Sequence, residues 1–115
     1  MPNSDCIFCK IISGEIPCKK AYEDEFVLAF HDITPQAPVH ILVIPKKHID
    51  GMDRIDSGNA DIAARLFTVI SRLAQKLELN SGFRVVCNNG EQAGQSVRHL
   101  HFHLLAGRDL TWPPG

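Results

Sequence analysis

No apolar run in this 115-residue sequence approaches the ~20 residues that span a bilayer, so no membrane segment is expected. Neither sign of charge is in surplus: 12 Lys and Arg stand against 13 Asp and Glu, a net charge of -1 with histidine neutral. Without a basic surplus the surface is unsuited to non-specific capture of duplex nucleic acid or of an anionic membrane, and neither partner is expected. Met1-Pro2-Asn3-Ser4-Asp5 has neither the basic nor the apolar region of an export signal, which makes a cytoplasmic protein the expectation. Internal repeats, low-complexity tracts and linkers are also missing, and the length fits one domain over residues 1–115. Hydrophobic residues at 44% and charged residues at 22% are ordinary for a globular chain and exclude a disordered or collagen-like one.

Against these absences stand six histidines and four cysteines, Cys6, Cys9, Cys18 and Cys87. Nothing points to an oxidising compartment, and a chain of this size buries enough apolar surface to fold without disulfide staples. The cysteines therefore read as reduced, with metal binding as the alternative to passive burial.

Ile7, Phe8, Ile11 and Ile12 fall at helical spacing between Cys6 and Gly14, with Ser4 or Asp5 as the N-cap and Gly14 as the stop. Phe26 to His31 and the near-continuous apolar run from Val39 to Ile44, each bounded by proline, read as strands. So little polar alternation implies a strand covered on both faces, or covered by another subunit. Asn59 to Leu79 is the one long helix, carrying a stripe of Ile62, Leu66, Val69, Ile70, Leu73 and Leu77, capped by Asn59 and ended by Asn80-Ser81-Gly82. Phe83 to Cys87 and His99 to Leu105 complete the strands, separated by a turn-rich stretch from Asn88 to Ser96. Strands gathered about one long helix, mostly without βαβ alternation, imply an α+β fold with an antiparallel sheet.

The strongest chemical signal is His99-Leu100-His101-Phe102-His103-Leu104-Leu105. On a strand the three imidazoles project together while Leu100, Phe102 and Leu104 enter the core. Core patterning alone does not require histidine at those positions, and neighbouring imidazolium charges repel, so the group cannot be fully protonated near neutral pH. Alternate residues of one strand are poorly placed to wrap a single metal ion tetrahedrally. Just upstream, Gly94-Gln95-Ser96 offers unhindered backbone N–H groups and a hydroxyl, a nest suited to a phosphate oxygen, although alone it reads as a simple turn.

This run matches the histidine-triad signature His-x-His-x-His-x-x. Gly94-Gln95-Ser96-Val97, Phe30-His31-Asp32-Ile33, Pro35-Gln36-Ala37-Pro38, Val43-Ile44-Pro45-Lys46-Lys47-His48 and Trp112-Pro113-Pro114-Gly115 accompany it in order. From Cys6 to Gly115 the chain resembles the Hint branch of the histidine-triad family. The resemblance implies a homodimer whose two five-stranded sheets join, each subunit with a short N-terminal and a long helix and a cleft for a purine nucleotide. It also implies hydrolysis of nucleoside phosphoramidates through a nucleotidyl-histidine intermediate. By position His101 is similar to the nucleophile; His103, Ser96 and the Gly94-Gln95 backbone would hold non-bridging oxygens. Asn88 and His40 match positions near the α-phosphate and leaving group, with His40 a candidate proton donor. His31 and Asp32 match nucleotide-contacting positions, and a carboxylate at 32 can accept from both ribose hydroxyls. Ile7, Phe8, Ile11, Ile16, Phe30, Ile33 and Leu42 match positions around the base. Trp112 matches a segment that reaches towards the partner's site and bears on substrate choice.

Blander readings stand beside these: Asp32 and Asn88 as turn-forming residues, the apolar set as core, Trp112 as cover for a sheet. The resemblance leaves room for a dinucleoside-polyphosphate hydrolase or a nucleotide-sensing scaffold with incidental hydrolysis. A nucleotidyltransferase fits less well, since the related transferases carry glutamine where His103 stands. Cys6-Ile7-Phe8-Cys9 forms a Cys-x-x-Cys knuckle, which needs two further ligands for a closed zinc site. Chains of a similar branch pair such a knuckle with the histidines at positions 48 and 99, implying a structural zinc ion on Cys6, Cys9, His48 and His99. Buried small hydrophobes and a thiol redox pair are the alternatives. Cys18 and Cys87 have no evident partners and read as ordinary.

Overall fold

Two aliphatic segments set the architecture. In the computed structural model, which describes residues 5–115, Val27–His31 (β2) and Val39–Pro45 (β3) pair antiparallel within a five-stranded sheet. Lys20–Glu23 (β1) bonds to β2, Phe102–Ala106 (β5) to β3, and Phe83–Val86 (β4) to β5. The order is β1-β2-β3-β5-β4, antiparallel throughout.

Side chains of a strand alternate between faces, and here both faces are covered. On one face Val27, Ala29, Ile41, Val43, Phe102 and Leu104 meet Leu66, Val69, Ile70 and Leu73 of the helix Ala60–Lys76 (α2). On the other, Leu28, Phe30, Leu42 and Ile44 meet Phe8 and the two cysteines around the short helix Ile7–Ile12 (α1). Burial from two sides is why β3 reads as an unbroken apolar run. The register puts Leu42 opposite His103 and His40 opposite Leu105, so His40 and His103 are diagonal neighbours on the α1 face.

The expected elements are present, with shifted ends. α1 is capped by neither candidate: Ser4 lies outside the described residues, and the N-cap is Cys6, whose Sγ accepts from Cys9 N at 3.2 Å. Gly14, at φ +88°, ends the turn as expected. Asn59 occupies the N-cap position of α2 without capping it; its Oδ1 accepts from Asp56 N and its Nδ2 donates to Arg54 O. α2 stops at Lys76 rather than Leu79, leaving Leu77 exposed, while Ala74 joins the buried stripe. β1 was not anticipated, because Lys20-Ala21-Tyr22-Glu23 buries little and carries no alternation to read.

The last strand begins at Phe102 rather than His99. His99 N donates to Val97 O at 2.9 Å and Leu100 N to Ile49 O at 2.6 Å, bonds that turn this stretch out of the sheet ladder. Leu100, Phe102 and Leu104 still enter the core as expected. Among the described residues no helix is long and apolar enough to cross a membrane.

Candidate active site and metal centre

The turn before β5 carries His99 to the Cys-x-x-Cys helix. Its Nδ1 lies 3.3 Å from Cys6 Sγ, 3.6 Å from Cys9 Sγ and 3.1 Å from His48 Nδ1, while His48 Nδ1 lies 3.2 Å from Cys9 Sγ. Zinc–sulfur bonds of about 2.3 Å and zinc–nitrogen bonds of about 2.0 Å place the corners of a tetrahedron about 3.3–3.8 Å apart, close to these separations. Ring protons follow from the outer partners. His99 Nε2 donates to Pro45 O at 2.9 Å and His48 Nε2 to Asp50 Oδ1 at 2.8 Å, so both Nδ1 atoms carry lone pairs. Two bare nitrogens facing each other at 3.1 Å repel unless positive charge or a thiol proton intervenes. Soft sulfur donors, neutral imidazoles and an acceptor behind each ring fit zinc. Burial pushes the pKa of His99 down from 6.5 to about 4, against the pull of its bond to Pro45 O. Four protein ligands would leave no open position, making such an ion structural.

Two residues on, the His101 ring is only 4% exposed and donates from Nδ1 to the His99 carbonyl at 2.7 Å. A carbonyl only accepts, so the proton sits on Nδ1 and Nε2 keeps its lone pair. Burial lowers the His101 pKa, opposed by that bond and by Asp32, and so keeps the ring neutral. The Phe8 ring meets His101 edge-on at 5.1 Å and His99 at 5.8 Å, wedging α1 against both. The His103 ring centre lies 5.1 Å from that of His101. His103 Nδ1 is 2.9 Å from His40 Nε2, and His40 Nδ1 accepts from Gln36 N at 3.0 Å. Burial takes His103 to a pKa of about 4, with His101 and His40 adding to the fall. The pKa of His40 is also lowered by burial, with Asp32 Oδ2 opposing at 3.5 Å.

The His101 and His103 rings border a cavity of about 380 Å³, within the range of small-molecule sites. His101, His103 and Ser96 line one part of it. Ile7, Phe8, Ile11, Ile16, Phe30 and Leu42 supply apolar wall, with His31, Asp32 and Ile33 alongside. Ile33 is 94% exposed, so it stands at the rim. Pro17, Cys18, Thr34 and Val97 also line the cavity and were not anticipated; Cys18 directly follows Ile16-Pro17 in sequence, the one signal available. Asp32 does two things at once: Oδ1 accepts from Thr34 N and Oγ1, forming the turn, while Oδ2 faces His40.

His40, Asn88, Gly94, Gln95 and Trp112 are not on the cavity wall. His40 is buried behind His103. Gly94 adopts φ +89°, a conformation favouring glycine, and a β-carbon added there would come within 3.9 Å of Asn88 Nδ2. The Gln95 amide is engaged within its loop, accepting from Gly90 N and Arg98 Nη1 and donating to Asp50 O and Val97 O. Trp112 is 82% exposed, and the segment before it is held by Arg84 Nη2, which donates to Leu110 O and Thr111 O. Cys87 packs against the α2-side core.

The chain matches the HIT domain over residues 13–110. It is similar to the 14 kDa zinc-binding protein of Brassica juncea, 50% identical over 113 residues that cover 96% of this chain and all of that protein. It is similar also to adenylylsulfatase HINT1 of Arabidopsis thaliana, 49% identical over 115 residues, covering 98% of this chain and 78% of that one. Among solved structures, a HIT family hydrolase from Legionella pneumophila superposes with a TM-score of 0.94 at 46% identity, covering 96% of this chain and 100% of the other.

Proposed function

The chain belongs to the HIT domain family, on its Hint branch, and from that premise we propose that it is a hydrolase of nucleoside 5′-phosphoramidates acting through a nucleotidyl-histidine intermediate. The observation that carries this reading is the 2.7 Å bond from His101 Nδ1 to the His99 carbonyl, which leaves a neutral Nε2 lone pair beside the cavity. Nε2 attacks phosphorus and the phosphorus–nitrogen bond breaks, the amine nitrogen taking a proton from solvent as it departs. Water then attacks the nucleotidyl-His101, releasing the nucleoside monophosphate and restoring the ring. Their place on the cavity wall supports His103 and Ser96 as donors to the non-bridging oxygens, with Gly94-Gln95 and Asn88, off the wall, shaping the loop that carries Ser96. Asp32 serves the ribose through Oδ2, the oxygen not taken up by the Thr34 turn, and the wall of Phe8, Ile11, Ile16, Phe30 and Leu42 takes the purine.

The Arabidopsis relative is named for cleaving an adenylyl sulfate, and the same attack on phosphorus can displace sulfate in place of an amine. The bond accepted is thus any good leaving group on the α-phosphorus, with the phosphoramidate as first choice. Zinc, when bound at Cys6, Cys9, His48 and His99, supplies a rigid crosslink between α1 and the segment carrying the nucleophile.

The same reading includes a homodimer. β4 is an edge strand, and Phe83 and Val85 on it, with Phe67 of α2, leave an exposed apolar face beside a groove of about 430 Å³. Joining two sheets at this edge would bury that face. It would also bring the Arg84-anchored tail and Trp112 to the interface, next to the partner's cleft.

The test is turnover of adenosine and guanosine 5′-phosphoramidates together with mass spectrometry of the quenched enzyme. A nucleotidyl adduct on His101 and its loss in His101→Ala are expected. Undiminished turnover by His101→Ala would refute the nucleophile.

A further inference from the structure

A neutral imidazole has one proton for two nitrogens, so a histidine aimed at a phosphoryl oxygen helps only when the proton is on the facing nitrogen. For His101 the His99 carbonyl settles this; for His103 the answer lies further back. Gln36 N is a backbone amide that can only donate, and it points at His40 Nδ1 at 3.0 Å. Nδ1 must therefore accept, and the proton of neutral His40 goes to Nε2. Two acceptors compete for that proton: His103 Nδ1 at 2.9 Å and Asp32 Oδ2 at 3.5 Å. The shorter contact makes His103 Nδ1 the acceptor. His103 in turn carries its proton on Nε2, the nitrogen left for the cavity that His103 lines.

We propose that the main-chain N–H of Gln36, acting through His40, fixes the proton of His103 on Nε2 and so presents His103 to the cavity as a standing hydrogen-bond donor. His40 is then a positioning residue, in keeping with its place off the cavity wall. The source of the order is a turn: Gln36 lies between Pro35 and Pro38, and Arg108 Nε donates to the Gln36 carbonyl at 2.9 Å, tethering the residue through the peptide that follows the N–H. This inference deepens the proposed hydrolase reading, since it assigns the donor that would meet an oxygen of the substrate.

Two experiments test it, and only one needs substrate. Long-range proton–nitrogen NMR of the ¹⁵N-labelled, ligand-free protein should show His103 with Nε2 protonated and Nδ1 bare. A His103 protonated on Nδ1 would overturn the proposal whatever the enzyme hydrolyses. In kinetics, His40→Gln retains an N–H donor towards His103 but cannot donate a proton as an acid. Its kcat should stay within about tenfold of the parent enzyme. His40→Glu offers only acceptors and would turn the His103 proton away from the cavity, so kcat should fall about 10²–10³-fold with KM little changed, as for loss of one oxyanion donor. If Gln falls as far as Glu, His40 works by proton transfer and the proposal is wrong. A protein inert to every nucleotide yet showing the stated tautomer would sink the hydrolase reading and leave this one standing.

Discussion

Replacing Asp50 by alanine isolates the metal centre from the rest of the fold. Its carboxylate accepts from His48 Nε2 at 2.8 Å and is the reason His48 offers a lone pair to the cysteines. The side chain is 45% exposed, and the Asp50 carbonyl, which takes a bond from Gln95 Nε2, is kept by alanine. Without metal, then, Asp50→Ala should unfold within about 0.5 kcal/mol of the parent. With metal the difference appears. Freed of its acceptor, His48 populates the tautomer protonated on Nδ1, which cannot bind, and rotates away from the other three ligands. Loss of such an orienting partner weakens a site about 10–100-fold, equivalent to about 1.4–2.7 kcal/mol. Competition with a chromogenic chelator reads the affinity directly, and denaturation with saturating zinc should show the same loss in stability. The parent should bind about one zinc per chain, and Cys6→Ser/Cys9→Ser none. Equal zinc affinity in Asp50→Ala and parent would refute the lone-pair reasoning, and a parent with reduced thiols that binds no zinc would refute the site.

Phe8→Ala should cost about 3–5 kcal/mol in chemical denaturation, because one buried ring packs edge-on against Phe30, His99 and His101. Phe8→Leu, which keeps much of the apolar volume, should cost clearly less than Phe8→Ala; equal losses would show that the edge-on ring packing, and not buried volume, carries the effect. The acid limb of kcat/KM should lie below pH 6.5, since burial lowers both His101 and His103, the latter to about 4, so that falling pH charges them late. The unfolded chain binds protons near pH 6.5 that folded His103 refuses until about 4. Stability should therefore fall as pH drops through that window, and less so in His103→Asn. Phe83→Glu on the β4 edge should convert a dimer to monomer in light scattering; a parent that is monomeric at high concentration would refute the joined sheets.

What could be read from the sequence was whatever a side-chain type or a period encodes. β3 is legible because both its faces are buried, and α2 because Leu66, Val69, Ile70 and Leu73 repeat along one face. The cysteines and histidines of the metal cluster announce themselves by chemistry, and the structure places their ligand atoms within 4.8 Å of one another. Most of the misses depend on main-chain atoms, which every residue possesses, and one on an unusual side-chain cap. Cys6 caps α1 through a sulfur that sequence rules do not count as a cap. The Gln36 N–H, the Pro45 carbonyl and the His99 carbonyl orient His40, His99 and His101, yet no residue identity reveals them. β1 is invisible because a half-exposed edge strand gains its order from the neighbour it pairs with.

The histidine run is therefore better understood as two sites sharing a backbone than as three equivalent rings on a strand. A regular strand would send the side chains of 99, 101 and 103 to one face in a row, with the backbone amides and carbonyls taken up by neighbouring strands. Breaking the ladder before Phe102 releases the His99 carbonyl from sheet pairing, and it is this carbonyl that holds the proton of His101. The His99 ring, on the same α1 side, is fixed by the Pro45 carbonyl and the cysteine pair. A backbone shift at His99 on loss of its ring's anchors would move the carbonyl, and with it the acceptor that fixes the tautomer of His101, the imidazole proposed to attack. Removing zinc bound at this site should consequently lower kcat more than it alters KM, because Phe30 and Leu42 hold their part of the apolar wall from within the sheet, independently of α1.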